Sequence, residues 1–126
     1  MIEWKQREIK FKFWARPHKH MMDDYDGWSE DVATNEHFEH FKEFDIIPLQ
    51  YTGLKDKNGK EIYEGDIARD ISGKVAVIVY SPPSFFAQFK GELWDINTKG
   101  SPVEMVECIE VIGNIFENPE LLEDKP

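Results

Sequence analysis

The sequence predicts a mainly β protein with a minor helical part, and three observations carry that prediction. Residues 49–54 and 60–63 are β-prone runs on either side of Asp56-Lys57-Asn58-Gly59. Asn-Gly supplies the two positive-φ positions of a tight type I′ hairpin. Val75, Val77 and Val79 alternate with Ala76, Ile78 and Tyr80, so that strand is apolar on both faces and belongs inside a closed or covered sheet. Nine Phe, four Trp and four Tyr make up 13% of the 126 residues, enough large apolar side chains for a continuous core. A small barrel built outward from the hairpin follows.

Taken in order, Ile9, Phe11 and Phe13 alternate with Lys10, Lys12 and Trp14, which predicts a strand with one apolar face, ended by Arg16-Pro17. Residues 18–31 are acidic and rich in His and Met, and support a short strand or an irregular loop. Phe38, Phe41 and Phe44 recur every third residue, which predicts a short helix over 35–44, capped by Thr34 or Asn35 and packed on the barrel. Past the hairpin, Glu64-Gly65-Asp66 is a sharp corner, and Tyr51, Gly53, Asp56, Asn58, Gly59, Tyr63, Gly65 and Asp66 are turn and core types that hold the fold.

Strands are then expected over 66–70, 74–80, 85–89 and 92–96, with Gly91 a turn or a bulge. Residues 103–114 hold two further β-rich runs, and Gly113 beside Asn114 permits close backbone approach where the chain closes on itself. Asn118-Pro119-Glu120-Leu121-Leu122 predicts one terminal helical turn, with Asn118 as cap, Pro119 in the first position and both leucines docked. The expected division is residues 1–48, an N-terminal strand, acidic loop and helix, and residues 49–126, the barrel, in one compact unit.

Formal net charge is −10, which disfavours unassisted binding to nucleic acid or anionic lipid. The charge is uneven. Lys5, Arg7, Lys10, Lys12, Arg16 and Lys19 face only Glu3 and Glu8, so residues 1–20 carry +4 and the remainder −14. Either the basic strand is simply solvated, the plainer reading, or it docks on an acidic face of its own chain or a neighbour's, a contact that salt would weaken. The one cysteine, Cys108, excludes an internal disulfide and reads as a small buried hydrophobe. With no apolar leader and no long apolar run, a soluble cytoplasmic protein without membrane association is expected.

Three motifs carry a family resemblance. They are Arg7-Glu8-Ile9-Lys10-Phe11-Lys12-Phe13-Trp14, the stretch 49–67, and Glu110-Val111-Ile112-Gly113-Asn114-Ile115-Phe116-Glu117-Asn118-Pro119-Glu120-Leu121-Leu122. On these the chain resembles the YopX family of phage and prophage proteins. The resemblance implies that the C-terminal part is an SH3-like β-barrel, and it implies no nameable enzymatic activity. The sequence departs from the family pattern at Ala15, where Asp commonly follows the Trp, and across 18–45.

No catalytic constellation emerges, no phosphate-binding glycine loop exists, and no cofactor is implied. His18 and His20 share a strand face, while His37 and His40 share a helical one, and Asp23, Asp24 and Glu36 could add oxygen ligands for a divalent transition metal. The spacing matches no dedicated zinc motif, so surface histidines are the favoured reading. Asp24-Tyr25-Asp26-Gly27 and Asp56-Lys57-Asn58-Gly59 place Gly fourth, not sixth as a calcium loop needs, and are turns. Phe85, Phe86, Phe89 and Trp94 could stack bases, but Lys90 is the only base among them, so core packing is the simpler account.

The expected function is therefore that of a non-enzymatic interaction protein that self-associates as a homo-oligomer or binds an unidentified host or phage protein. The alternative is an acidic mimic occupying the nucleic-acid groove of a host enzyme. Direct nucleic-acid binding ranks third.

Overall fold

A computed structural model describes residues 9–17, 19–22, 45–98 and 104–122. The helix expected over 35–44 lies outside them, as do His18, His37 and His40. The described strands are β1 (Phe11–Ala15), β2 (His20–Met22), β3 (Ile46–Lys55), β4 (Glu61–Tyr63), β5 (Asp66–Asp70), β6 (Val75–Ser81), β7 (Ser84–Phe89), β8 (Glu92–Asp95) and β9 (Ile109–Asn114). They form a four-stranded sheet in the order β2-β1-β3-β4 and a five-stranded sheet in the order β8-β7-β6-β5-β9. Every pairing is antiparallel. The protein is mainly β, as its alternating patterns predict. Among the described residues no helix is long and apolar enough to cross a membrane.

The main core gathers Ala76 and Ile78 of β6, Phe85, Ala87 and Phe89 of β7, and Ile109 and Val111 of β9. Ile62 of β4 joins it, and Leu54 of β3 packs against it, so the β3–β4 hairpin lies on the inner face of the second sheet. Ile62, Ile78 and Ile109 are fully buried, each worth roughly 1.5–3 kcal/mol against exposure. A smaller cluster pairs Phe13 with Ile46, flanked by Phe11 and Met22.

The first strand corrects the expectation of a single apolar face. Phe13, Trp14 and Ala15 are all buried, because Phe13 enters the small cluster on one side while Trp14 packs on Phe116 on the other, ring centroids 5.5 Å apart. Trp14 thus ties the N-terminal strand to the end of the chain. Over residues 104–114 the two β-rich runs give one strand. Met105–Glu107 is a 3₁₀ turn and only Ile109–Asn114 is a strand. Gly91, at φ +82°, is in the turn between β7 and β8 and not in a bulge.

Candidate functional site

The hairpin loop forms the first of two junctions that close the chain on itself. Asp56 N–H donates to Lys60 C=O, and Gly59 N–H to Asp56 C=O, enclosing three loop residues. Gly59 has φ +82° but Asn58 is not left-handed. The expected type I′ turn is therefore replaced by a three-residue connection with one glycine in the left-handed position. The Asp56 side chain explains the change. Its Oδ1 accepts the N–H groups of Asn58 and Lys60, both at 2.9 Å, and holds the loop open by one residue. Its Oδ2 accepts Val111 N–H at 2.8 Å, and Lys57 N–H donates to Ile109 C=O. The loop thereby covers the outer edge of β9. Burial pushes the Asp56 carboxyl up, but the three backbone donors outweigh it and hold it below the ordinary range. Asp70 repeats the loop geometry, with Oδ1 accepting Ser72 and Lys74 N–H.

The second junction is the corner. Gly65 takes φ +85°, donates to Ile78 C=O and accepts Ile115 N–H, while an added Cβ would meet Phe116 at 3.0 Å. Asp66 is buried, and its Oδ2 accepts Tyr63 N–H at 2.8 Å. Desolvation raises its carboxyl to about 6 against the pull of that bond and of Lys12 and Lys60. Opposite Asp66, Asn114 N–H donates to the Asn118 carboxamide oxygen at 3.2 Å. That bond crosses over Gly113, where a Cβ would come within 2.5 Å of Asn118 Oδ1. Asn118 holds the expected cap position, its C=O accepting Leu121 N–H, and turns its side chain back to Asn114. Pro119 does open the terminal 3₁₀ turn, but Leu122 is 42% exposed while Leu121 is half-buried.

Gly53, at φ +86°, lies within the register shift between Tyr51 and Lys55 that bulges β3 against β4. Tyr51 and Tyr63 face each other across this pair, ring centroids 5.4 Å apart. Lys10 and Lys12 lie over them, at 5.5 Å and 4.5 Å from the respective ring centres. Lys10 also reaches Glu61 at 2.7 Å, and Arg16 reaches Asp45 at 2.9 Å. Lys10, Lys12 and Arg16 thus contact groups of their own chain, while the Lys10 and Arg16 side chains stay 39% and 62% exposed.

The family model described as YopX protein matches residues 3–123. The chain belongs to the YopX family. A solved structure, protein EF1440 from Enterococcus faecalis, aligns with a TM-score of 0.67 at 29% identity, covering 94% of this chain and 100% of that one. No curated protein matches.

In this YopX chain the described residues hold no group of three or more His, Cys, Asp or Glu placed for a metal ion, and His20 is exposed at the start of β2. Cys108 is half-buried, not fully buried as expected. It lines a cleft of about 440 Å³ with Ile71, Phe89, Trp94, Thr98 and Met105. Phe85 and Phe89 are core residues, but Trp94 is 51% exposed, so the core assignment fails for it.

Trp94 and Leu93, 52% exposed, belong to β8, the edge strand, all of whose residues are exposed. Sequence reasoning missed this edge. Its signal was the pattern Glu92-Leu93-Trp94-Asp95, four residues with an acid at each end, because charged residues are a device of edge strands.

Proposed function

We propose that this YopX protein is a phage- or prophage-encoded, non-catalytic interaction protein acting in the cytoplasm of the bacterial host cell, where it self-associates or binds a host or phage protein. The observation that carries this reading is the exposed β8 edge, which offers Leu93 and Trp94 beside an apolar cleft. Residues 49–126 are read as an SH3-like barrel. Support comes from the hairpin packed inside the five-stranded sheet and from the Asp56 and Lys57 bonds that cover the β9 edge.

The acidic-mimic alternative needs carboxylates ranked along one open face. Asp56, Asp66 and Asp70 are instead committed to their own turns, and Glu61 and Glu110 lie against Lys10 and Arg69. These placements favour the interaction reading.

Sedimentation velocity of the full chain at low and high salt, with affinity capture from host cells, tests it. Assembly or a stoichiometric partner is expected. A strict monomer at low salt that captures nothing overturns it.

A further inference from the structure

We propose that β8 accepts an extended basic segment of another protein, which adds to the sheet edge main chain to main chain and seats an apolar side chain in the cleft beside Trp94. The inference rests on the interaction reading above and names its surface and the chemistry of its partner.

The two edges of the five-stranded sheet are treated differently. At β9, Val111 N–H and Ile109 C=O are taken by the Asp56 loop. At β8, one side pairs with β7 and the other pairs with no strand among the described residues. Its outward N–H and C=O groups are the template for strand addition.

Register then assigns the faces. Trp94 is opposite Ala87 and Glu92 opposite Phe89, and both partners are core residues, so Trp94 and Glu92 share the inward face. Trp94 Nε1 donates to Glu92 Oε2 at 2.9 Å, which orients the indole at the mouth of the cleft running to Met105 and Cys108. Leu93 and Asp95 point to the outer face.

The charge pattern selects the occupant. β8 is acid, apolar, apolar, acid. A second copy in full antiparallel overlap sets each Glu92 against Asp95 of the other copy, and in parallel overlap each acid meets itself. Like charges directly opposite destabilise a strand pair. A segment reading base, apolar, apolar, base matches β8 in either direction, with its bases on Glu92 and Asp95 and its apolar pair on Leu93 and Trp94. No four-residue segment of this chain has that pattern, so the segment comes from another protein.

The probe is a capped peptide with Lys-Val-Val-Lys at its centre, titrated into the full chain at low salt and followed by amide chemical shifts. Saturable shifts confined to β8 and to Thr98, Met105 and Cys108 are expected. A Glu-Val-Val-Glu peptide and a backbone N-methylated Lys-Val-Val-Lys peptide should produce none. The double variant Glu92→Lys with Asp95→Lys should bind about tenfold more weakly or worse, the loss of about 1.4 kcal/mol that two reversed exposed pairs bring. Equal binding of the N-methylated peptide overturns strand addition, and equal binding of the acidic peptide overturns the charge assignment. A wild-type dimer that the double variant dissociates makes the occupant a second copy and overturns the proposal. If the double variant still assembles or captures its partner, the interaction reading stands and the β8 assignment falls.

Discussion

Asp56 accepts the backbone N–H of Val111 at 2.8 Å, although 55 positions separate the two residues. The carboxylate that shapes its own hairpin loop with Oδ1 therefore also covers the far edge of the second sheet with Oδ2. An amide side chain cannot do both, because its nitrogen donates and does not accept. Asp56→Asn should leave Val111 N–H facing another donor and destabilise the protein by about 1–3 kcal/mol. Urea unfolding measures this, and an unchanged midpoint would remove the closing role.

Gly113 and Asn118 should behave as a coupled pair. Gly113→Ala drives a methyl into the Asn118 side chain, and overpacking of this kind costs roughly 1–3 kcal/mol. Asn118→Ala alone should also destabilise, since Asn114 N–H loses its acceptor. The double variant should be less destabilised than the sum, because shortening Asn118 removes the two nearest clashing atoms. Additive losses in a double-mutant cycle would contradict the contact.

Asp66 gives stability an unusual pH dependence. Its carboxyl is raised from 3.8 to about 6 in the folded state, so between those values the folded chain binds more protons than the unfolded one. Stability from this group is fully present below about 4 and is lost as pH rises through 6. The difference corresponds to about 3 kcal/mol at most. Asp66→Asn keeps an acceptor for Tyr63 N–H and cannot ionise. Its stability relative to wild type should rise across that interval, and a constant difference from pH 4 to pH 7 would refute the assignment.

The Lys10–Glu61 pair should contribute little, and less as salt increases. Both side chains are partly exposed, at 39% and 33%, so a coupling of about 0.5 kcal/mol is expected at low ionic strength. A cycle with Lys10→Met and Glu61→Gln at two salt concentrations reads it directly. Coupling that does not fall in high salt would mean that the two side chains interact by packing and not by charge.

Much of the wall was legible in the chain. The alternation of 74–80, the breaks at Gly65, Gly73 and Gly91, and the Pro119 turn are local patterns whose steric causes act within a few residues. The open edge was not legible. Trp94 has the composition of a core residue, and its exposure depends on β8 having, among the described residues, a neighbouring strand on one side only. The Met105–Glu107 turn was missed for a related reason, since a short apolar run does not distinguish a strand from a tight helical turn.

By itself the sequence determined most of the segments that extend, where most of them bend, and the family to which the chain belongs, because backbone sterics and side-chain alternation are properties of neighbours. Only the tertiary structure decided that Asp56 serves two sheets, that Trp14 meets Phe116, and that among the described residues one edge is covered while the other pairs with no strand. Those outcomes depend on which distant donors and surfaces come within a few ångströms of one another, and no local pattern carries that distance.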